Sequence, residues 1–118
     1  MEALLAESLL TARRHGVEDA VLGSLNDLFP VADWPKLARY MISRSLQHGQ
    51  RRAEEMREAA RTVAEAGFEP WMSRGCVERQ QWAADHAQAL RGETLTEMLD
   101  SLLAQTPPAV RLQEPAQP

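Results

Sequence analysis

The sequence of 118 residues contains a single cysteine, Cys76, and a single lysine, Lys36. One cysteine cannot form an internal disulfide, nor by itself a cysteine-based zinc or iron–sulfur site, so we expect a reducing, cytoplasmic setting. No apolar run approaches the roughly 18 residues of a membrane-spanning helix. The first residues also lack the cationic start and the small-residue cleavage site of a signal peptide. The sequence thus predicts a cytoplasmic protein with no membrane partner.

Glycine is scarce as well, because the six glycines are scattered singly and none belongs to a phosphate-binding loop. The chain has no histidine pair at metal spacing and no serine elbow. Its net charge of −4 argues against a nucleic-acid partner. A chain of this length is also too short for a dinucleotide-binding domain together with a substrate domain. We expect no bound metal, and no cofactor bound by this chain alone.

What the sequence does contain is helical periodicity, and no alternation typical of a strand is present. It predicts an all-α fold with one compact domain of about five or six helices over residues 1–105. The expected helices are 2–15, 17–29, one starting at Asp33, 50–66, 71–90 and one starting at Thr94. Four of the seven prolines lie in residues 106–118, which we expect to form a disordered tail.

Helix ends can be read from a few residues. Gly16 and Gly67 are suited to left-handed caps at the ends of two helices, and Asp33 is suited to an N-cap. Thr94 and Glu97 have the spacing of a capping box. Gly49 predicts either a break or a kink. The helix over 2–15 is apolar around most of its circumference, so we expect it to be central.

The strongest polar cluster is formed by His48, Arg51, Arg52 and Glu55. Helical spacing places the two arginines and the glutamate on one arc, and His48 joins them if the helix continues through Gly49. Adjacent arginines beside a histidine can offer forked donors to a phosphate or carboxylate. The alternative is that the arginines pair with glutamates of the same helix on a solvated face, and spacing alone favours that alternative.

Other candidate residues have simpler explanations. A lone thiol at Cys76 on an apolar stripe is typical of a small core residue rather than a nucleophile. Trp34, Trp71 and Trp82 are expected to be core or interface anchors. The last helix is expected to pack on the domain, although an amphipathic terminal helix is also a common dimer contact.

Four segments in this order resemble one family: Ala3–Val17, Asp33-Trp34, His48-x-x-Arg51-Arg52-x-x-Glu55-Met56 and Glu65-Ala66-Gly67-Phe68-Glu69-Pro70-Trp71-Met72. They resemble the C-terminal helical domain of 6-phosphogluconate dehydrogenase-like proteins, of the β-hydroxyacid dehydrogenase superfamily. The resemblance covers about residues 2 to 90.

That superfamily joins an N-terminal Rossmann domain, which binds NAD or NADP, to an all-α domain that closes the substrate site and usually makes the dimer contact. The resemblance implies that His48, Arg51, Arg52 and Glu55 face or brace a cleft for an anionic small-molecule substrate. It also implies that the cofactor loop and the catalytic lysine lie outside this chain. Lys36 is in the wrong place to substitute for that lysine.

The resemblance therefore implies the substrate-side and dimerisation domain of an NAD(P)-dependent 6-phosphogluconate/β-hydroxyacid dehydrogenase-like oxidoreductase. Such a chain would lack the Rossmann half, contain no catalytic residue and be inactive alone. The alternative is a freestanding, homodimeric helical module that binds a partner or a small ligand. The two differ in whether a Rossmann domain is present, either upstream in the same reading frame or on a partner subunit.

Overall fold

The computed structural model describes residues 1–107, and all regular structure in this range is helical. The elements are α1 (Glu2–Arg14), α2 (Glu18–Leu28), α3 (Trp34–Glu65), α4 (Trp71–Ala84), a 3₁₀ turn (Ala87–Arg91) and α5 (Leu95–Gln105). The expected all-α fold is confirmed. Most of the tail expected over 106–118 lies outside the described residues. Among residues 1–107, no helix combines the length and the hydropathy needed to cross a bilayer.

Helix α1 is central, because it contacts all four other α-helices. Leu5 and Leu9 are buried in the core that it shares with α3 and α5, and Leu9 is fully buried. The wide apolar circumference of this segment is thus explained by neighbours on several sides. One side stays open, since Leu4 is 58% exposed.

The two glycine caps form as the sequence predicts. Gly16 has φ +71°, and its N–H donates to the carbonyl of Arg13 at 3.0 Å. The N–H of Val17 then donates to the carbonyl of Ala12 at 2.9 Å, which completes a Schellman motif. Gly67, with φ +94°, ends α3 in the same way. Each cap turns the chain sharply and brings the next helix back onto the previous one.

The long helix α3 bends instead of breaking at its middle. The Asp33 carboxylate accepts from the N–H of Lys36 at 3.1 Å at its start. His48 departs from helical geometry, with φ −124° and ψ 17°. At Gly49 a Cβ would collide with the Gln80 carbonyl and would lie 2.9 Å from the Ala84 nitrogen. Gly49 therefore permits the closest approach between α3 and α4, directly after the kink.

Helix α4 ends earlier than the periodicity predicts, at Ala84 instead of residue 90. After Ala84, the N–H groups of Asp85 and His86 each donate to the carbonyl three residues earlier, which is the hydrogen-bond pattern of a 3₁₀ turn. The imidazole Nδ1 of His86 also lies 2.7 Å from the carbonyl of Trp82. The chain then continues as the 3₁₀ turn, which places Ala89 in the core with no exposed surface.

Helix α5 begins at the predicted capping residue. The Thr94 hydroxyl accepts from the N–H of Glu97 at 3.1 Å, while the Glu97 carboxylate accepts from the N–H of Glu93. Met98, Leu99 and Leu102 have no exposed surface. The apolar stripe of this helix therefore packs into the core of its own chain.

The molecule has two unequal regions. The base contains α1, α2, residues 34–53 of α3, the 3₁₀ turn, α5 and the last part of α4. The arm comprises residues 54–76, the second part of α3 and the start of α4, joined by the Gly67 turn. Within the arm only Pro70 is buried, whereas the base holds the hydrophobic core. The kink at His48 lies close to the junction of the two regions.

Candidate functional site

The four residues singled out by the sequence line two concave surfaces beside the kink in α3. His48 and Arg51 line an open groove of about 350 Å³. Arg52 and Glu55 line a separate cavity of about 300 Å³. Successive residues of a helix point about 100° apart, so adjacent arginines face different neighbours. His48 and Arg51 thus share the groove, Arg52 and Glu55 share the cavity, and the Arg51–Glu55 ion pair links the two surfaces.

In the groove, Arg51 is largely uncommitted. Its side chain is 60% exposed, and its Nε lies 3.7 Å from the carboxylate of Glu55, which is equally exposed. Pairs of this kind between exposed residues one helical turn apart contribute little to stability. The guanidinium can therefore exchange this partner for an external anion at small cost.

Beside Arg51, the imidazole of His48 is half-buried. Its burial, together with the positive charges of Arg44, Arg51 and Arg52, holds the pKa of His48 below its usual value of 6.5. The carboxylate of Glu2 acts in the opposite direction. The imidazole is consequently neutral near pH 7, and the charge around it is dominated by arginine.

Arg52 has a different environment, because it is paired with α1. Its side chain is 24% exposed, and its Nε lies 2.9 Å from Glu2 Oε1. Ser45 Oγ and Gln80 Nε2 donate to the same carboxylate oxygen, each at 3.4 Å. The carboxylate of Glu2 thus joins α1, α3 and α4 through three polar partners. Arg52 is tied into the fold, while Arg51 is presented to solvent.

Glu2, Ser45 and Gln80 were missed by the reasoning from sequence. Ser45 and Gln80 are 2% and 5% exposed, so each is a polar residue at a position that faces the interior. The sequence contains a signal for each of them. Ser45 lies on the apolar stripe of α3, and Gln80 lies three residues from both Val77 and Ala83, at a position of α4 that faces the core. Buried polar side chains at helical core positions require partners, and these two share the carboxylate of Glu2.

A third concave surface lies between α1, α4 and α5, with a volume of about 230 Å³. The guanidinium of Arg79 lies 5.0 Å from the centre of the Trp82 ring, which stacks on His86. Arg79 is paired with Glu7, and Arg14 donates to carbonyls at the end of α5. The described contacts of both arginines are thus with groups of the chain itself, which is typical of a packing contact.

The groove and the cavity offer groups suited to recognition. The groove supplies a guanidinium for an anionic oxygen and a neutral imidazole that can donate or accept. The cavity supplies a buried amide and a paired carboxylate. Within residues 1–107, no three His, Cys, Asp or Glu side chains come together as a metal-ligand set. Both surfaces thus contain groups that can form hydrogen bonds or ion pairs with small polar groups.

Comparison with known proteins gives a match over more than half of the chain. Residues 12–83 match a domain of unknown function, DUF1932. A conserved hypothetical protein from Sinorhizobium meliloti 1021 has a solved structure that superposes with a TM-score of 0.70 at 36% sequence identity. The match covers 86% of this chain and 35% of that protein, so this chain spans about a third of its length. No curated protein matches the chain. The chain belongs to the DUF1932 family.

Proposed function

We propose that this chain is the substrate-side domain of an NAD(P)-dependent β-hydroxyacid dehydrogenase-like oxidoreductase, inactive without a Rossmann domain. Domains of the DUF1932 family are known as the C-terminal helical domains of NAD-binding dehydrogenase-like proteins, which supports this reading. The 6-phosphogluconate-type substrate, the NAD(P) cofactor and a cytoplasmic location belong to the same proposal. The proposed partners are the Rossmann domain, a second copy of the chain and an anionic small molecule.

The observation that carries the proposal is the contrast between the two adjacent arginines. Arg51 is exposed and weakly paired beside the neutral imidazole of His48, whereas Arg52 is paired with Glu2. An exposed guanidinium next to a neutral histidine can bind a phosphate or carboxylate oxygen without first breaking a buried ion pair. We propose that Arg51 binds the anionic group of the substrate, that His48 donates to it, and that Arg52 and Glu55 brace the helix behind them.

The dimerisation part of the proposal is best supported at the end of the arm. Phe68, Trp71 and Met72 are 70%, 74% and 78% exposed around the Gly67 turn. Trp34, by contrast, is buried and donates to the carbonyl of Phe29 at 2.9 Å. Trp82 is partly buried against the core, so of the three tryptophans Trp71 is the most available to a partner.

Anion binding can be tested on the chain alone by titrating its histidines by NMR with and without sulfate. An anion bound at Arg51 would offset the positive charge around His48, so we expect sulfate to raise the pKa of His48. The shift should disappear in Arg51→Met, while His15, at the end of α1, serves as the internal control. A pKa of His48 that does not respond to sulfate would contradict the anion site.

The dehydrogenase part needs a second measurement, the intact mass of the protein in its source cell compared with 13.2 kDa. A mass that exceeds this value by the mass of a Rossmann domain, or co-purification with a subunit that carries such a domain, would support the proposal. In that complete enzyme, Arg51→Ala should lower kcat/KM. A mass equal to that of this chain with no such partner would favour the freestanding module. The isolated chain should show no turnover with either nicotinamide cofactor.

A further inference from the structure

The cavity beside Glu2 contains a hydrogen-bond acceptor with no partner among the described residues. Gln80 is 5% exposed, it lines the cavity, and its Oε1 is buried without a hydrogen bond. A buried amide oxygen without a hydrogen bond is destabilising, so native proteins rarely contain one. An unpartnered acceptor on a residue that lines a cavity points to a ligand that supplies the donor.

The orientation of this amide is fixed by its surroundings. The Nε2 group of Gln80 donates to Glu2 Oε1 at 3.4 Å. Rotating the amide by 180° would place its oxygen against the carboxylate, where two acceptors would repel each other. The oxygen must therefore remain on the other side, and a ligand must approach it with an O–H or N–H group.

Beside the charged side chains of Arg52 and Glu55, the lining of the cavity has an apolar part that suits an apolar portion of the ligand. Met41, Met56 and Cys76 contribute polarizable sulfur groups to the wall. Methionine side chains adapt to unbranched apolar groups with little loss of packing. The volume of about 300 Å³ lies at the lower end of the range for small-molecule sites.

We propose that this cavity binds a small molecule that carries an O–H or N–H donor on a short apolar chain. The donor bonds to Gln80 Oε1, and the apolar chain packs against Met41, Met56 and Cys76. A carboxylate is acceptor-only and therefore offers no donor to Gln80 Oε1. The site lies within the helical chain itself, so it does not depend on the proposed dehydrogenase role.

The test uses three probes of nearly equal size: n-butanol, its isomer methyl propyl ether, and butanoate. Binding is followed through the methyl NMR signals of ¹³C-labelled methionines, where Met41 and Met56 report on the cavity and the exposed Met72 reports on non-specific contact. We expect saturable shifts of the two cavity signals with n-butanol. The ether lacks the donor, so its dissociation constant should be about tenfold higher. Butanoate should bind no better than the ether.

Two variants and one control locate the binding. Gln80→Met removes the acceptor at nearly constant length and should abolish the preference for the alcohol over the ether. Cys76→Leu fills the cavity without touching the amide and should remove binding of both, which keeps the test informative if Gln80→Met does not fold. Gln50→Met, at an exposed residue outside the cavity, should bind as the parent does.

Equal affinity for alcohol and ether, an unchanged preference in Gln80→Met, or no cavity shift with any probe would overturn the proposal. Each of these results would leave the sulfate response of His48 unaffected, because Arg51 and His48 line the other groove. Failure of this inference is therefore distinguishable from failure of the proposed function.

Discussion

One continuous helix serves two different regions in this protein. In the base, Ala38, Ile42 and Leu46 of α3 recur every four residues and are almost completely buried. In the arm, Met56, Ala60 and Val63 of the same helix continue an apolar stripe but remain half-buried. Helix α3 as a whole packs on α1, α4, α5 and the 3₁₀ turn, and all of its buried residues lie in the base part. Periodicity thus predicts the helix, and the tertiary neighbours decide how much of it is buried.

The largest contrast should appear when an apolar side chain is truncated to alanine in each of the two regions. Leu9→Ala, in the base, opens a cavity at a fully buried residue and should lower the free energy of unfolding by about 2–5 kcal/mol. Val63→Ala, in the arm, should lower it by less than about 1 kcal/mol, since the side chain is already half-solvated. Urea denaturation followed by circular dichroism measures both.

Leu4→Ala is the matched control for Leu9→Ala, because both leucines lie on α1 and Leu4 is 58% exposed. It should change the free energy of unfolding by less than about 0.5 kcal/mol. A loss at Val63 or Leu4 as large as the loss at Leu9 would contradict the division into a packed base and a solvated arm.

The junction of the two regions should be the next most sensitive place. Gly49→Ala would place a Cβ against the backbone of α4 and force the two helices apart. We expect it to lower the free energy of unfolding by about 1–3 kcal/mol, the typical cost of overpacking. Urea denaturation should show this as a lower midpoint with a similar slope.

Gly75→Ala is the control for the glycine substitution itself. Gly75 lies in α4, and a Cβ there would meet nothing within 4 Å. Alanine favours the helix, so the free energy of unfolding should rise by about 0.5–1 kcal/mol. If both variants were stabilised, the close approach of α3 and α4 at Gly49 would be refuted.

A smaller effect should separate the adjacent arginines. Arg52→Met leaves the carboxylate of Glu2 without its cation and should lower the free energy of unfolding by about 1–2 kcal/mol, since both side chains are partly exposed. Arg51→Met removes only an exposed pair and should cost under about 0.5 kcal/mol. Thermal denaturation of the two variants under identical conditions measures the difference. Equal losses of stability would contradict the conclusion that Arg52 stabilises the fold while Arg51 is exposed in the groove.

Local signals in the sequence predict much of the fold. The caps at Gly16 and Gly67, together with those at Asp33 and Thr94, depend on residues close in the chain, so they were predictable from short patterns. The end of α4 was not, because the 3₁₀ turn depends on the burial of Ala89 in a core built by distant helices.

The candidate site shows the same limit. Helical spacing correctly identified an arginine-rich stretch near one bend, but it could not reveal that Arg52 meets Glu2, which lies far away in sequence. Nor could it show that Ser45 and Gln80 share the same carboxylate. The cavity is built by contacts between distant segments, which spacing along one helix cannot reveal.

The smallest expected effect concerns pH at the junction. The pKa of His48 is lower in the folded protein than its usual 6.5, because of burial and the charges of Arg44, Arg51 and Arg52. Near pH 6 the unfolded chain therefore binds more protons than the folded one. The contribution of His48 to stability is fully present above about pH 6.5 and is lost as the pH falls below it toward the folded pKa.

In the wild type we expect the urea concentration at the denaturation midpoint to decrease as the pH is lowered from about 7.5 to about 5. His48→Gln should reduce this fall. An identical pH dependence in the wild type and in His48→Gln would mean that burial at the junction does not disfavour the charged imidazole.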